Sequence, residues 1–194
     1  KYNSDRYRGD ANLDLDARGY RIFASGLPEL GHELVEMVRF VGEDYGGTQA
    51  RFLQGGFLKE SERIARNIGD KKARLLDLIA PQRPLIDAVP TEADLREILV
   101  PFEGAKFWLV WATKFLHFLK PETFPILDGR AEKALAITRS GNPARAYAVF
   151  SRSFREVLIA NEDILTRLRI EDQGSSPSDL KLLDKILFEA GAES

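Results

Sequence analysis

The longest apolar segment of the chain predicts a buried helix at its centre. Residues 105–119 place aromatic and aliphatic side chains around most of a helix that turns about 100° per residue, and they leave one narrow stripe that includes Thr113 and His117. A helix that is apolar on nearly all sides is mostly buried. Lys114 falls at the border of the stripe, so we expect burial to desolvate its ammonium and lower its pKa.

Two prolines after this helix predict that the chain turns back. Pro121 and Pro125 each push the preceding residue out of the α region, so the helix is expected to end near Leu119 and the chain to run extended. An extended connector of this length can return Asp128 to the side of Lys114. An amphipathic segment follows Asp128, which is therefore a predicted helix N-cap with its carboxylate stabilised in the ionised form.

The rest of the pattern predicts an all-α fold, because no segment alternates between apolar and polar residues over a strand's length. Further predicted helices cover residues 26–41, 58–68, 71–80, 91–100, 130–138, 143–159 and 179–190. Residues 1–20 are polar and aperiodic and are predicted to be an N-terminal arm. Residues 21–194 are predicted to form a single all-α domain in two helical lobes, with the candidate site, residues 105–133, between them.

Composition narrows the classes of function. A chain of 194 residues with 44% hydrophobic content suits a single domain. Without cysteine it has no disulfide or iron–sulfur scaffold, and its two histidines are too far apart in sequence to suggest a metal site, so we expect neither metal nor cofactor. The sequence contains neither a long apolar run nor a signal peptide, which predicts a cytoplasmic protein that does not enter membranes.

The charge distribution favours a nucleic-acid partner locally. The net charge of the chain is −2, yet residues 105–155 carry nine Lys and Arg against three Asp and Glu, a balance of +6. A basic face around the candidate site would attract phosphate and predicts duplex DNA as the partner. A solvated helix surface is the alternative interpretation of the same charges.

Two short motifs resemble one enzyme superfamily. The run FPILDG, residues 124–129, resembles the catalytic-aspartate segment of the helix-hairpin-helix DNA glycosylases, especially the adenine-specific mismatch glycosylases. The run VWATKF, residues 110–115, is similar to the lysine-bearing helix of archaeal and OGG-like 8-oxoguanine glycosylases. The family hairpin, L-P-G-V-G-x-K, is degraded here to VPFEGAK, residues 100–106, an alignment that would nominate Lys106 in place of Lys114. Neither lysine has the usual family separation from the aspartate.

The resemblance implies a helix-hairpin-helix glycosylase fold and a DNA-repair enzyme that excises a damaged base of the 8-oxoguanine type, with an optional lyase activity. Asp128 would stabilise the oxocarbenium-like sugar of the transition state. Lys114, or Lys106 in reserve, would attack the anomeric carbon and form a Schiff base. Together, Lys114 and Asp128 are the predicted catalytic pair.

Five further side chains near the pair are predicted to bind the substrate. Trp108, Trp111 and Phe124 are available to stack on a base flipped out of the duplex, and His117 and Arg130 are available for phosphate. The helical spacing of the aromatic residues is more typical of a packed core than of a base-binding site, and for His117 a buried, hydrogen-bonded role is more usual than a functional one.

Two other functions are compatible with the same residues. The first is a non-enzymatic all-α module that retains the fold and binds nucleic acid or a protein, which the degraded hairpin favours. The second is an unrelated helical protein in which Lys114 and Asp128 form a structural buried ion pair.

Overall fold

The computed structural model describes residues 10–29, 31–45, 57–103, 108–138, 141–171, 176 and 178–193, and across these ranges the fold is all-α, as predicted. The α-helices are α1 (Asp10–Phe23), α2 (His32–Arg39), α3 (Phe57–Asp70), α4 (Lys72–Ile79), α5 (Glu92–Leu99), α6 (Trp108–Leu119), α7 (Gly129–Ala134), α8 (Pro143–Ala160), α9 (Glu162–Glu171) and α10 (Asp179–Glu193). A π-helix, Phe40–Asp44, extends α2, and a 3-10 helix, Val100–Phe102, extends α5. Within the described ranges no helix combines the length and apolar character that a membrane crossing requires.

Helix α6 lies in the middle of the core, as its apolar sequence predicts. Its side chains from Leu109 to Phe118 are buried except for Lys114, and it packs against α1, the π-helix and the 3-10 helix. One continuous hydrophobic cluster joins side chains from α1 to α10. The single domain and its division into two lobes stay predictions.

The prediction of a polar N-terminal arm is wrong from Asp10 onward, because α1 is part of the packed fold. Gly19 brings α1 so close to α6 that a Cβ atom there would lie 2.3 Å from the ring of Phe118. Asp16 is buried with only 2% of its surface exposed. A buried carboxylate has the same sequence signature as a surface one, which is why the pattern indicated an arm. Residues 1–9 lie outside the described residues.

Local capping signals set several helix boundaries where they were predicted. Thr91 Oγ1 accepts a hydrogen bond from Asp94 N at 3.1 Å and caps α5, and Asn142 Oδ1 accepts one from Arg145 N at 3.0 Å and caps α8. Helix α3 differs, because it continues through Gly69 to Asp70. A glycine costs about 1 kcal/mol inside a helix, and the burial of neighbouring Ile68 offsets this cost.

Helix α7 ends at Ala134, four residues before the predicted end. Ala136 has a φ of 51° and therefore a left-handed backbone, which interrupts the helix. Ala136 N donates to Lys133 O at 3.1 Å and Ile137 N donates to Glu132 O at 2.9 Å. These two bonds form a Schellman motif that satisfies the last carbonyls of the helix. The apolar spacing alone predicted a longer helix because it does not encode this turn.

Helix α10 packs closely against α7 through Gly191. A Cβ atom at Gly191 would lie 2.0 Å from the carbonyl oxygen of Arg130, in the first turn of α7. That oxygen belongs to the backbone and cannot rotate away. The contact therefore fixes the position of the α7 N-terminus, and with it Asp128.

We expect Gly191→Ala to lower the free energy of unfolding by about 1–3 kcal/mol, because the added methyl group forces α7 and α10 apart. Urea unfolding of the variant measures this change. Gly129→Ala is the matched control, since Gly129 is the first residue of α7, on the other side of the contact, and nothing lies within 4 Å of a Cβ atom there. Equal stabilities for the two variants would contradict a tight α7–α10 contact.

Candidate functional site

The connector between α6 and α7 returns along α6, as its prolines predict. Thr113 Oγ1 accepts a hydrogen bond from Leu127 N at 3.2 Å, and the hydroxyl of Tyr147, on α8, donates to Pro125 O at 2.7 Å. Both Tyr147 and Leu127 are fully buried. The connector is therefore held against α6, and its last residue, Asp128, is brought to the level of Lys114.

Asp128 caps α7, which confirms the predicted N-cap. Its Oδ1 accepts hydrogen bonds from Arg130 N and Ala131 N, both at 2.8 Å. These bonds stabilise the negative charge and orient the carboxylate. Among the described residues they use Oδ1 alone, and no side chain of this part of the chain occupies Oδ2.

Lys114 and Asp128 line the same small cavity. It has a volume of about 110 Å³, and its wall is formed by Leu15, Tyr45, Lys114, Ile126, Asp128, Asp184 and Phe188. These residues come from α1, the end of the π-helix, α6, the connector, the α7 cap and α10. The cavity is therefore assembled from parts of the chain that are distant in sequence.

Lys114 and Asp128 face each other across the cavity without a direct ion pair, and they interact only through their charges. Lys114 Nζ instead donates to Tyr45 O at 3.4 Å and lies 5.3 Å from the centroid of the Tyr45 ring. A direct structural ion pair between them was one of the sequence-based alternatives, and the structure does not contain it. Neither group is neutralised by a direct contact with the other, and both line the cavity.

The pKa values of the two groups move toward each other. Burial lowers the pKa of Lys114, as predicted, although attraction by Asp128 and Asp184 opposes the shift. Burial and repulsion by Asp184 raise the pKa of Asp128, and together they outweigh the capping bonds and the charge of Lys114. The hydrogen bonds at the N-terminus of α7 therefore lower the pKa of Asp128, as predicted, but burial and Asp184 raise it by more. Shifts of this kind in a cleft are typical of functional groups.

A buried ionic cluster beneath the cavity was not predicted from the sequence. Lys181 Nζ donates to Asp184 Oδ2 at 2.9 Å and to the hydroxyl of Tyr45 at 2.7 Å, and it lies 3.2 Å from Asp16 Oδ1. The Tyr45 hydroxyl in turn donates to Asp16 Oδ1 at 2.8 Å. Lys185 lies 3.9 Å from Asp16 Oδ2 and balances the charge of the cluster. We call these five residues, Asp16, Tyr45, Lys181, Asp184 and Lys185, the ionic cluster.

The sequence of α10 contains the signal that could have indicated this cluster. Lys181, Asp184 and Lys185 recur with helical spacing, while leucines occupy the other sides of the helix. A helix with apolar residues on several faces is buried, so its charged stripe must also face protein. Buried charges of this kind require partners of opposite sign.

The aromatic residues predicted to receive a base do not line the cavity. Trp111 is buried, with its Nε1 donating to Val38 O at 3.1 Å, and Phe124 is fully buried in the core. Trp108 is half-buried and packs on the same core. For all three, the structure agrees with the core interpretation that the helical spacing also allowed.

His117 is buried and hydrogen-bonded on both sides, which agrees with its non-functional interpretation. Its Nδ1 donates to the carbonyl of Phe124 at 2.9 Å, and its Nε2 accepts from the hydroxyl of Tyr20 at 2.7 Å. A carbonyl can only accept, which assigns the proton to Nδ1. Burial, followed by repulsion from Lys181, lowers the pKa of His117 to about 3. The ring is therefore neutral and unavailable to phosphate.

Arg130 lies beside Phe188, a residue of the cavity wall. It is exposed, and its guanidinium lies 4.2 Å from the centroid of the Phe188 ring, which lines the cavity. A guanidinium held over an aromatic ring can still bind a phosphate, because its N–H donors point outward in the plane of the guanidinium. Of the predicted substrate-binding residues, Arg130 is the one whose position suits that role.

The reserve nucleophile, Lys106, lies outside the described residues, as do Gly104 and Ala105 of the degraded hairpin. The first part of that hairpin, Val100–Phe102, forms a 3-10 helix. Across the described ranges, no three potential metal-binding side chains converge. Comparison of the chain with protein-family models, with curated protein sequences and with solved structures finds no match. The geometry of the site, and the resemblance of residues 110–115 and 124–129 to DNA glycosylase motifs, are therefore what indicate a function.

Proposed function

We propose that the protein is a DNA glycosylase-like repair enzyme that uses Lys114 as an amine nucleophile and Asp128 as a stabilising carboxylate. The observation that carries this proposal is the cavity that both residues line without forming a direct ion pair. A closed ion pair would consume both groups. An open arrangement offers them to a substrate.

The chemistry requires an amine that is free of its proton. Burial lowers the pKa of Lys114 and increases the fraction of free amine. The amine attacks the C1′ aldehyde of a ring-opened abasic sugar, and loss of water leaves an iminium ion. Removal of a C2′ proton then expels the 3′ phosphate. The carboxylate of Asp128 stabilises the positive charge that develops at C1′, in this step and in cleavage of a glycosidic bond.

The volume of the cavity favours the lyase step. At about 110 Å³ it is smaller than the roughly 150 Å³ cavity that accommodates benzene in an engineered protein. Only the aldehyde end of a ring-opened sugar has to enter this space to reach Lys114, whereas a flipped purine would have to be enclosed whole. We therefore propose the abasic site as the first substrate to examine and a damaged base of the 8-oxoguanine type as the second.

Duplex DNA would approach through the exposed basic side chains near the site. Arg130 and Lys133 on α7 are exposed, as are Arg145 and Arg152 on α8. Lys120, also counted in the basic segment, donates instead to the carbonyls of Ile79 and Ala80 and is satisfied internally. Phosphate contacts by a few such residues give modest affinity that falls as salt increases.

Borohydride trapping on a duplex with an abasic site tests the proposal. The parent protein is expected to form a covalent adduct, because borohydride reduces the Schiff base to a stable amine. Lys114→Gln should form none. Lys59→Gln is the matched control, since Lys59 is exposed on α3 and does not line the cavity.

The outcome of trapping separates the alternatives. Loss of the adduct in Lys106→Gln alone would identify Lys106 as the nucleophile and contradict the role of Lys114. A folded parent protein that binds the duplex at low salt without forming an adduct or releasing a base would favour a non-enzymatic binding module. Absence of DNA binding at low salt would exclude both nucleic-acid functions.

A further inference from the structure

A second carboxylate in the cavity wall has no role in the chemistry described so far. Asp184 is 5% exposed, and its Oδ2 accepts from Lys181. Its Oδ1 is buried and has no hydrogen-bond partner among the residues that the structure describes. An unpartnered buried carboxylate oxygen is costly, so its retention beside a cavity points to a ligand or a proton.

Asp128 and Asp184 differ in how their oxygens are occupied. Two backbone N–H groups at 2.8 Å bind Asp128 Oδ1 and stabilise its charge. Asp184 has no such donors, and it shares the ammonium of Lys181 with Asp16 and with the hydroxyl of Tyr45. Asp184 Oδ1 is therefore the better proton acceptor of the two carboxylates.

The geometry points to Asp184 as the proton acceptor that activates Lys114, an inference that rests on the proposed amine chemistry of this site. The Lys114 ammonium gives one proton to Asp184, and the free amine adds to the carbon of an aldehyde to form a carbinolamine. Asp184 then returns the proton to the carbinolamine hydroxyl, which leaves as water and produces the iminium ion. Protons and electrons balance without any further reactant.

The charges around Asp184 are compatible with a proton acceptor. Burial raises the pKa of Asp184, and Asp16 acts in the same direction, whereas Lys181 and Lys114 oppose the rise. Asp128 lies across the cavity and repels it as well. An elevated carboxyl pKa beside a depressed lysine pKa brings the two groups closer in proton affinity, which makes transfer between them easier.

A small aldehyde tests Asp184 independently of DNA. Parent protein and Asp184→Asn are treated with glycolaldehyde and cyanoborohydride between pH 5 and 9, and alkylation of Lys114 is quantified by mass spectrometry after digestion. The exposed Lys133 serves as an internal reference in every sample. Asp163→Asn is the matched control, because Asp163 is an exposed carboxylate on α9.

We expect Asp184→Asn to slow alkylation of Lys114 by ~10²-fold or more across the pH range, the usual contribution of a general base. Alkylation of Lys133 and the Asp163→Asn control should not change. Formate should restore part of the alkylation rate in Asp184→Ala, a result that a merely structural role of Asp184 does not predict. The Asp184→Ala variant also tests the inference if Asp184→Asn fails to fold.

The inference would be contradicted by fast alkylation of Lys114 in Asp184→Asn. If Asp184 only stabilises the Lys114 ammonium by its charge, its removal increases the free amine, and Asp184→Asn reacts as fast as the parent or faster at low pH. That outcome, or a lack of rescue by formate, would overturn the inference. Failure of the parent to form an adduct with abasic DNA would instead contradict the proposed function, since the aldehyde measurement does not require DNA.

Discussion

Replacing Lys181 by Met is expected to lower the free energy of unfolding by about 3–5 kcal/mol, the usual cost of removing one partner from a buried ion pair. The side chain of Lys181 is 0% exposed, and that of Asp16 is 3% exposed. Met fills most of the volume but has no charge, so the buried carboxylates Asp16 and Asp184 would keep Lys185 as the only cation of the ionic cluster. Urea unfolding at pH 7 measures the loss.

The pH dependence distinguishes loss of charge from loss of packing. Although burial alone raises the pKa of Asp16, attraction by Lys181, the hydrogen bond from Tyr45 and attraction by Lys185 lower it below the ordinary value of 3.8. A lowered folded-state pKa contributes stability above the unfolded-state pKa, and this contribution disappears as the pH falls through the folded-state value. In Lys181→Met the attraction by Lys181 is absent, and burial should raise the pKa of Asp16 above 3.8. The loss of stability caused by Lys181→Met should therefore become smaller as the pH falls from 7 to 4 and the buried carboxylates take up protons.

Two comparisons make the Lys181 prediction decisive. Lys133→Met removes an exposed lysine and should change stability by less than about 0.5 kcal/mol. The double variant Asp16→Asn with Lys181→Met should recover part of the loss, because neutralising a carboxylate removes an unpaired buried charge. A deficit independent of pH would show that packing, rather than charge, is responsible.

Replacing Asp128 by Asn is expected to slow adduct formation on abasic DNA by ~10²–10³-fold, in line with other losses of a preorganised electrostatic group. Asn has almost the same shape and is an equally good N-cap. It removes the negative charge near C1′ while its side-chain oxygen still accepts the bonds from Arg130 N and Ala131 N. Single-turnover trapping at saturating protein measures the rate, and a binding titration should show nearly unchanged affinity for DNA.

Although Asp128→Asn slows adduct formation, we expect it not to lower the free energy of unfolding. Burial and Asp184 raise the pKa of Asp128, so the folded state disfavours its charged form. A neutral amide relieves this cost, and the variant should be as stable as the parent or more stable at pH 7. Asp128→Ala, which loses the cap, should be less stable by about 1 kcal/mol. If Asp128→Asn forms the adduct on abasic DNA as fast as the parent does, Asp128 is only a helix cap and has no role in the chemistry.

The local signals of the chain predicted α6 and its exit correctly. Apolar residues on nearly all sides of α6 predicted its burial, and Pro121 predicted its end at Leu119. Asp128 was predicted as the α7 cap from the residues that follow it. Each of these features depends on residues within a few positions of each other, which is why the sequence reveals them.

The role of charged residues depended on contacts that no local pattern contains. Asp16 on α1 and Lys181 on α10 are distant in sequence, and each resembles an ordinary surface residue until the other is placed beside it. The aromatic side chains of α6 and the connector presented the same difficulty, since Trp111 and Phe124 suit either a core or a stacking site. Only packing decides which surface a buried helix presents to a cavity.

By itself, the sequence determined the all-α class, the buried central helix, its proline-induced end and the aspartate cap, because helix periodicity, proline and capping act over one or two turns. The tertiary structure decided that Lys114 and Asp128 line one cavity without a direct ion pair, and that Asp184 joins them from α10. These relations are set by how helices pack over long sequence separations. Burial then sets the direction of the pKa shifts, because the cost of desolvating a charge depends on the whole surrounding fold.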